Sequence, residues 1–492
     1  MKIRVLATIL LTITGVAGFA QGAVPDVKDP AAQHDWPRFR GPNGDGVSTA
    51  TGIPTTWSKD QNVLWKTDLP KTLIHENVTR KQLEDLPNAY DPWSSPIIVG
   101  DKVFLASAGI KVDEHKLFCF NLADGKQLWE KQIPPGPIVS LQMSNLLDNV
   151  DWVKTKDGPP RKSTHTAIGY SIATPCSDGE RVFVTFSTYV LTALDFQGNI
   201  LWQRSLAKTT DKPPSSGHYA KETGVNLGIC LGASPIVYKD TVIQVCESSI
   251  RAFDCKTGDL KYEIPLTFGE QWATPILVTL KDKTVMINHS SRTLAGYDPE
   301  NGKKIFWAGN IWNYGASPVY DDGYVFGIFG GAVCTMFALP VDANSANDIL
   351  ANRFKKTADF STKMPAFTEG SPVVFDHIVY QYVNNYNQGG LPAKIQPDKG
   401  MLVGLKRTAG SPEIVSQTPL PGVSNWASLV ATADGYIYVA TGGKSYVIKA
   451  GPKPEIVGVN DLNDYNIGPS PAVTDGKLII RGSTKLWCIG KP

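Results

Sequence analysis

The chain has 492 residues, of which 42% are hydrophobic, 10% aromatic and only 19% charged, a balance that belongs to a well-buried globular protein and excludes extensive disorder. Its 45 Gly and 35 Pro call for many turns. A formal net charge of +2 supplies no overall field for nucleic acid or an acidic membrane surface, so neither is expected as a partner.

In chain order, MKIRVLATILLTITGVAGFAQGA comes first: Lys2 and Arg4, an apolar run from Val5 to Phe19, then the small residues Ala20, Gly22 and Ala23. This reads as a secretory signal peptide over 1–22, its run short of the ~20 residues a membrane-spanning helix needs. No Cys follows until Cys119, so a lipid-attachment cysteine is missing, and the expected product is exported, periplasmic or secreted, without a lipid anchor. Residues 23–56 form a lead-in segment, and 57–490 a repeat region.

The repeat is visible at two places in each unit. Every unit opens on a small-residue and Pro step followed by an apolar stretch, a turn and a second strand, as in WSSPIIVGDKVFLAS, IATPCSDGERVFVTF and GASPIVYKDTVIQVC. The steps align on Pro96, Pro175, Pro235, Pro275, Pro318, Pro372, Leu429 in place of a Pro, and Pro471, which makes eight units. Several units then close on an acidic residue, a turn Gly and an aromatic four positions later: Gly125 and Trp129, Gly198 and Trp202, Gly258 and Tyr262, Gly302 and Phe306.

Spacings near 40 residues suit four short strands per unit, the size of one propeller blade. Radial closure hides both the apolar faces and the end edges of such units. The eighth unit stops at LWCIG without a fourth strand, whereas NVLWKTDLP, 62–70, reads as a fourth strand with no first three. The expected fold is therefore all-β, an eight-bladed β-propeller closed by pairing of the N-terminal strand with the last blade. Trp65, Trp129, Trp202, Tyr262 and Phe306 are expected to bolt each outer strand to the neighbouring blade. Small residues at 193, 252 and 296, and Cys119, would let the sheets approach; Cys119 and Cys488 read as small buried side chains rather than reactive thiols.

AFDCKTGDLKY, from Ala252, is similar to the tryptophan-docking repeat of PQQ-like, quinoprotein-type propellers, with Tyr262 in place of Trp. The chain thus resembles the propellers of quinoprotein dehydrogenases and of a non-catalytic outer-membrane assembly lipoprotein, and DWPRFRGPNGDGVS, 35–48, resembles the lead-in of secreted PQQ-like repeat proteins. That resemblance implies either a binding scaffold or a periplasmic oxidoreductase of alcohols or sugars that uses PQQ with calcium. The adjacent Cys pair and the C-x-x-C-H haem site that generally mark such enzymes are both missing, so no cofactor, metal or catalytic residue is expected. GGKS at 442–445 lacks the earlier Gly of a phosphate loop, having Tyr438 there, and HEN at 75–77 is followed by Thr79 where a zinc site needs His.

Residues just ahead of the opening Pro steps are expected to rim a binding mouth over the central channel: Asp91, Trp93, Tyr170, Gln271, Trp272, Tyr314, Glu369, Asn425, Trp426 and Asn466, with Tyr465 beside them. Long insertions at 71–92, 134–169, 207–228, 341–367 and 384–400 suit partner contacts. The expectation is a monomeric exported protein that binds an envelope or extracellular protein, polymer or small ligand without catalysis of its own.

Overall fold

The computed structural model describes residues 35–70, 94–107, 115–134, 152–153, 161–162, 173–186, 190–206, 232–246, 248–266, 272–290, 292–313, 315–329, 335–342, 361–364, 368, 370–383, 400–408, 411–423, 428–441, 443–464 and 468–492. Among them there is no helix, and the strands form eight sheets arranged as a propeller, with one small hairpin, Trp152–Val153 with Arg161–Lys162. Blade 1 is Ile97–Val99, Lys102–Ser107, Lys116–Asn121 and Gln127–Gln132. Blades 2 to 7 run from Cys176–Ser177 to Ile200–Ser205, Ile236–Tyr238 to Leu260–Pro265, Ile276–Leu280 to Lys304–Gly309, Val319–Asp321 to Ser361–Lys363, Val373–Phe375 to Glu413–Pro419, and Val430–Thr432 to Glu455–Asp461. Blade 8 takes Ala472–Thr474, Lys477–Arg481 and Lys485–Gly490 from the end of the chain and Val63–Asp68 from its beginning. There Trp65 pairs with Cys488 and Lys66 with Trp487, so the ring is sealed as the sequence predicts.

First strands lie innermost, where those of neighbouring blades face one another. They begin on one face of the ring, called upper here, and the turns between third and fourth strands lie on the lower face. Burial follows position: Lys116–Asn121 is buried along its middle, whereas Gln127–Gln132 alternates with solvent, as an outer strand must.

The D-x-x-T-G phrase has a local cause. Asp254 Oδ1 accepts the amides of Lys256 and Thr257, which shapes the turn, and Gly258 takes φ +71°, a left-handed conformation that favours Gly. A bulge then falls just after the residue paired with the aromatic, between Ala252 and Phe253 in blade 3 and at the matching place in blades 1, 2 and 4. It aims the aromatic at the next blade.

The aromatic docks on the next blade's turn Gly and donates to the carbonyl one residue past that blade's Asp or Asn. Trp65 Nε1 reaches Leu122 O, Trp129 Nε1 reaches Phe196 O and Trp202 Nε1 reaches Cys255 O, each at 2.9 Å, and the Tyr262 hydroxyl reaches Pro299 O at 2.7 Å. A Cβ on Gly125, Gly258 or Gly302 would stand 2.4–2.7 Å from the arriving ring. Phe306 has no polar atom and instead joins Val325, Phe337 and Leu339 of blade 5 in one buried cluster. Where outer strands lack an aromatic, other groups serve the seams. Thr362 donates to Pro412 O between blades 5 and 6, and Tyr380 of blade 6 donates to Gly451 O of blade 7 at 2.9 Å. At the seam of blades 7 and 8, Trp57 stacks on Tyr438 with centroids 6.4 Å apart and joins Leu478, Trp487 and Ile489.

Candidate functional site

The site is assembled from the centre outwards. Immediately before each opening step stands a Ser or Thr, and these form a girdle around the channel. The amides of Ser95, Thr174, Ser234, Thr274, Ser317 and Ser371 donate to the hydroxyls of Thr174, Ser234, Thr274, Ser317, Ser371 and Ser428, and Ser470 N closes back on Ser95 Oγ, all at 2.9–3.2 Å. Every one of these side chains is buried. The remaining junction, Ser428 to Ser470, has no such bond among the described residues, and Ser470 Oγ is buried without a partner.

Residues 35–58 are threaded through this ring. On the lower face Asp35 Oδ1 accepts Gly100 N, and Trp36 bridges Ile98 of blade 1. Pro37 O accepts Ser177 N of blade 2 and Asn43 O accepts Leu277 N of blade 4, while Arg40 donates to Pro372 O of blade 6. A segment that touches first strands on opposite sides of the ring must cross its axis. From Gly46 the chain turns back, and Val47–Ser48 pairs in parallel with Ala431–Thr432 as a fifth, innermost strand of blade 7. Thr51 O then accepts Gly476 N, and the chain runs out under the seam to Trp57, whose amide is held by Asn460 Oδ1 at 2.8 Å. Gly41, Gly44 and Gly46, at φ +77°, +76° and +81°, make the bend, and Cβ atoms on Gly41 and Gly46 would stand 2.6 Å from Trp36 and 2.7 Å from Leu429 O.

Phe39, Pro42, Asn43 and Asp45 at the bend are half-buried. Arg38 and Arg40 beside them are fully enclosed. Burial lowers both guanidinium pKa values to about 10, against the pull of Asp45, and burial also raises the Asp45 carboxyl above its ordinary value.

On the upper face over blade 4, Trp312 is 45% exposed and carries the Arg292 guanidinium over its ring at 4.2 Å from the centroid. Its backbone is fixed on both sides. Ile311 N donates to Arg292 O, and Asn313 Nδ2 donates to His289 O and Ala316 O at 3.0 and 3.1 Å.

Of the ten expected rim residues, Trp272 alone is described. It is half-buried and wedged between the upper-face glycines of the flanking blades, its Cγ 3.0 Å from a Cβ placed on Gly232 and its Cβ 3.5 Å from one on Gly315. Asp91, Trp93, Tyr170, Gln271, Tyr314, Glu369, Asn425, Trp426 and Asn466 lie outside the described residues, as do Tyr465 and most of the five insertions. Neither Trp312 nor Arg292 lies at a repeating position, so the repeat does not mark them; the one signal the sequence offers is a Trp two residues before Tyr314. The described cysteines, Cys119, Cys176, Cys246, Cys255 and Cys488, are buried, and burial pushes the Cys119 and Cys488 thiols up to about 12. Among the described residues no group of three His, Cys, Asp or Glu is placed to hold a metal.

The geometry defines a PQQ-like propeller of eight blades with its N-terminal segment threaded through the ring. The family described as outer membrane protein assembly factor BamB matches residues 55–330, more than half of the chain, and the protein belongs to that family. Solved structures similar to it include BamB from Moraxella catarrhalis, at 14% identity with a TM-score of 0.40, covering 79% of this chain and 82% of that one. Another is the computationally designed Ika8 protein, at 10% identity with a TM-score of 0.46, covering 82% of this chain and 98% of that one. No curated protein matches the chain.

Proposed function

We propose that the protein is an exported envelope protein that binds a partner protein with its upper face and has no catalysis of its own. The observation that carries this reading is Trp312 with Arg292: a large, rigidly mounted aromatic and a guanidinium, exposed together, are the side chains most enriched where binding energy concentrates. Support comes also from the family, whose description is that of an assembly factor at the outer membrane. The signal-like segment 1–22 favours export, and no helix among the described residues is long and apolar enough to cross a membrane.

The test is cross-linked capture from the native envelope fraction, native chain against Trp312→Ala, with melting curves for both. The expected result is a partner captured by the native chain and reduced about tenfold with the variant, at a Tm little changed because the side chain is exposed. Equal capture by both would refute Trp312 as the anchor. Dye reduction with an alcohol or sugar in the presence of PQQ and calcium would overturn the non-catalytic reading and favour a quinone-dependent oxidoreductase.

A further inference from the structure

We propose that the bend of the threaded segment holds a small anion inside the ring, on the guanidinium group of Arg38. Arg38 is 3% exposed and Arg40 0%. Arg38 Nε donates to Gly41 O at 3.2 Å, and Arg40 Nη2 donates to the carbonyls of Asp45 and Pro372, so both side chains are held in place. Four nitrogens remain: Nη1 and Nη2 of Arg38, Nε and Nη1 of Arg40, all buried with no partner among the described residues. A buried donor left unpaired is costly, and a charged one more so, which makes these atoms a demand for an acceptor.

Charge points the same way. Both guanidinium groups remain protonated at neutral pH, since burial brings them only to about 10. Asp45, the carboxylate that acts on both, supplies at most one negative charge, so at least one positive charge is unmatched among the described residues. Beside the unpaired Arg38 Nη2 stands a glycine: a Cβ on Gly44 would lie 3.6 Å from that atom, in ordinary contact. First strands enclose the bend at Ile276, Val373 and Leu429, which restricts the ligand to a halide or a compact oxyanion such as acetate or phosphate. This seat is independent of the upper-face partner.

The full chain would be melted in sodium chloride, acetate and phosphate, each against sodium gluconate at matched ionic strength, gluconate being too bulky to enter. The expected result is a saturable rise in Tm of roughly 2 °C at ten times the apparent Kd in at least one of the three, and which one separates halide from oxyanion. Arg38→Lys keeps a charge and loses the fork, and should shift the response at least tenfold to higher concentration; Arg38→Met should abolish it. Non-specific salting effects persist in both variants, so the native-minus-variant difference is the quantity read. If chloride gives the response, crystals soaked in bromide should show an anomalous peak within hydrogen-bond distance of an Arg38 Nη atom. A native response equal to that in gluconate in all three salts, an unaltered response in Arg38→Lys, or a chloride response with bromide-soaked crystals showing water alone at Arg38 would each overturn the proposal.

Discussion

At Ser234 a backbone amide leaves its own blade and finds Thr274 Oγ1 3.0 Å away in the next. Removing that hydroxyl orphans a buried donor, so Thr274→Val should cost about 1–3 kcal/mol in denaturant unfolding. Ser470→Ala is the control: its Oγ has no partner among the described residues, and the change should stay within about 0.5 kcal/mol. Equal costs would remove the girdle from the account. Two buried histidines set the response to acid. Burial lowers His115 and His289 to about 4, His289 in spite of the Ile311 carbonyl. Between pH 6.5 and 4 the unfolded chain therefore binds more protons than the folded one, so the stability each neutral ring contributes is full above 6.5 and is lost as pH falls toward 4. The loss is about 3 kcal/mol per histidine. His115 stacks on Phe186 at 4.8 Å, so His115→Phe preserves the contact and should flatten the pH slope in that window; an unchanged slope would contradict the assignment. The small-residue and Pro steps were plain in the sequence, but not the girdle, because a Ser before Pro does not announce whose amide it will accept.

At the scale of the element, a seam is one ring laid on one turn. Trp202 is 7% exposed, and Gly258 lies where a Cβ would be 2.6 Å from its ring. Trp202→Ala should cost about 3–5 kcal/mol through the cavity and the lost hydrogen bond. Gly258→Ala should cost about 2 kcal/mol or more through the clash and its φ of +71°. Because both changes act on one contact, the double variant should be less destabilised than their sum, by at least about 0.5 kcal/mol. Strict additivity would mean that the ring and the turn do not meet. The offset from turn Gly to aromatic is legible because both residues lie in one hairpin. Trp57 as the aromatic of the seam between blades 7 and 8 is not: the sequence carries no mark that links it to Tyr438 or Asn460, and chain threading alone brings them together.

At the scale of the molecule, eight sheets and their closure were readable because the repeat spells out each blade and the missing fourth strand of blade 8 is supplied by a phrase near the beginning. The channel's contents were not, since 35–48 matches no repeat and its glycines acquire meaning only against first strands drawn from several blades. Threading makes the N-terminal segment part of the core, where it contributes Trp36, Ala50, Ile53 and Trp57 to the largest buried cluster. A ring sealed by its own beginning should unfold as one unit. Hydrogen exchange of the native chain, read by mass spectrometry over residues 36–57, tests this most directly. The account predicts protection equal to that of inner strands such as Ile276–Leu280; exchange within seconds, as in an unattached tail, would contradict it.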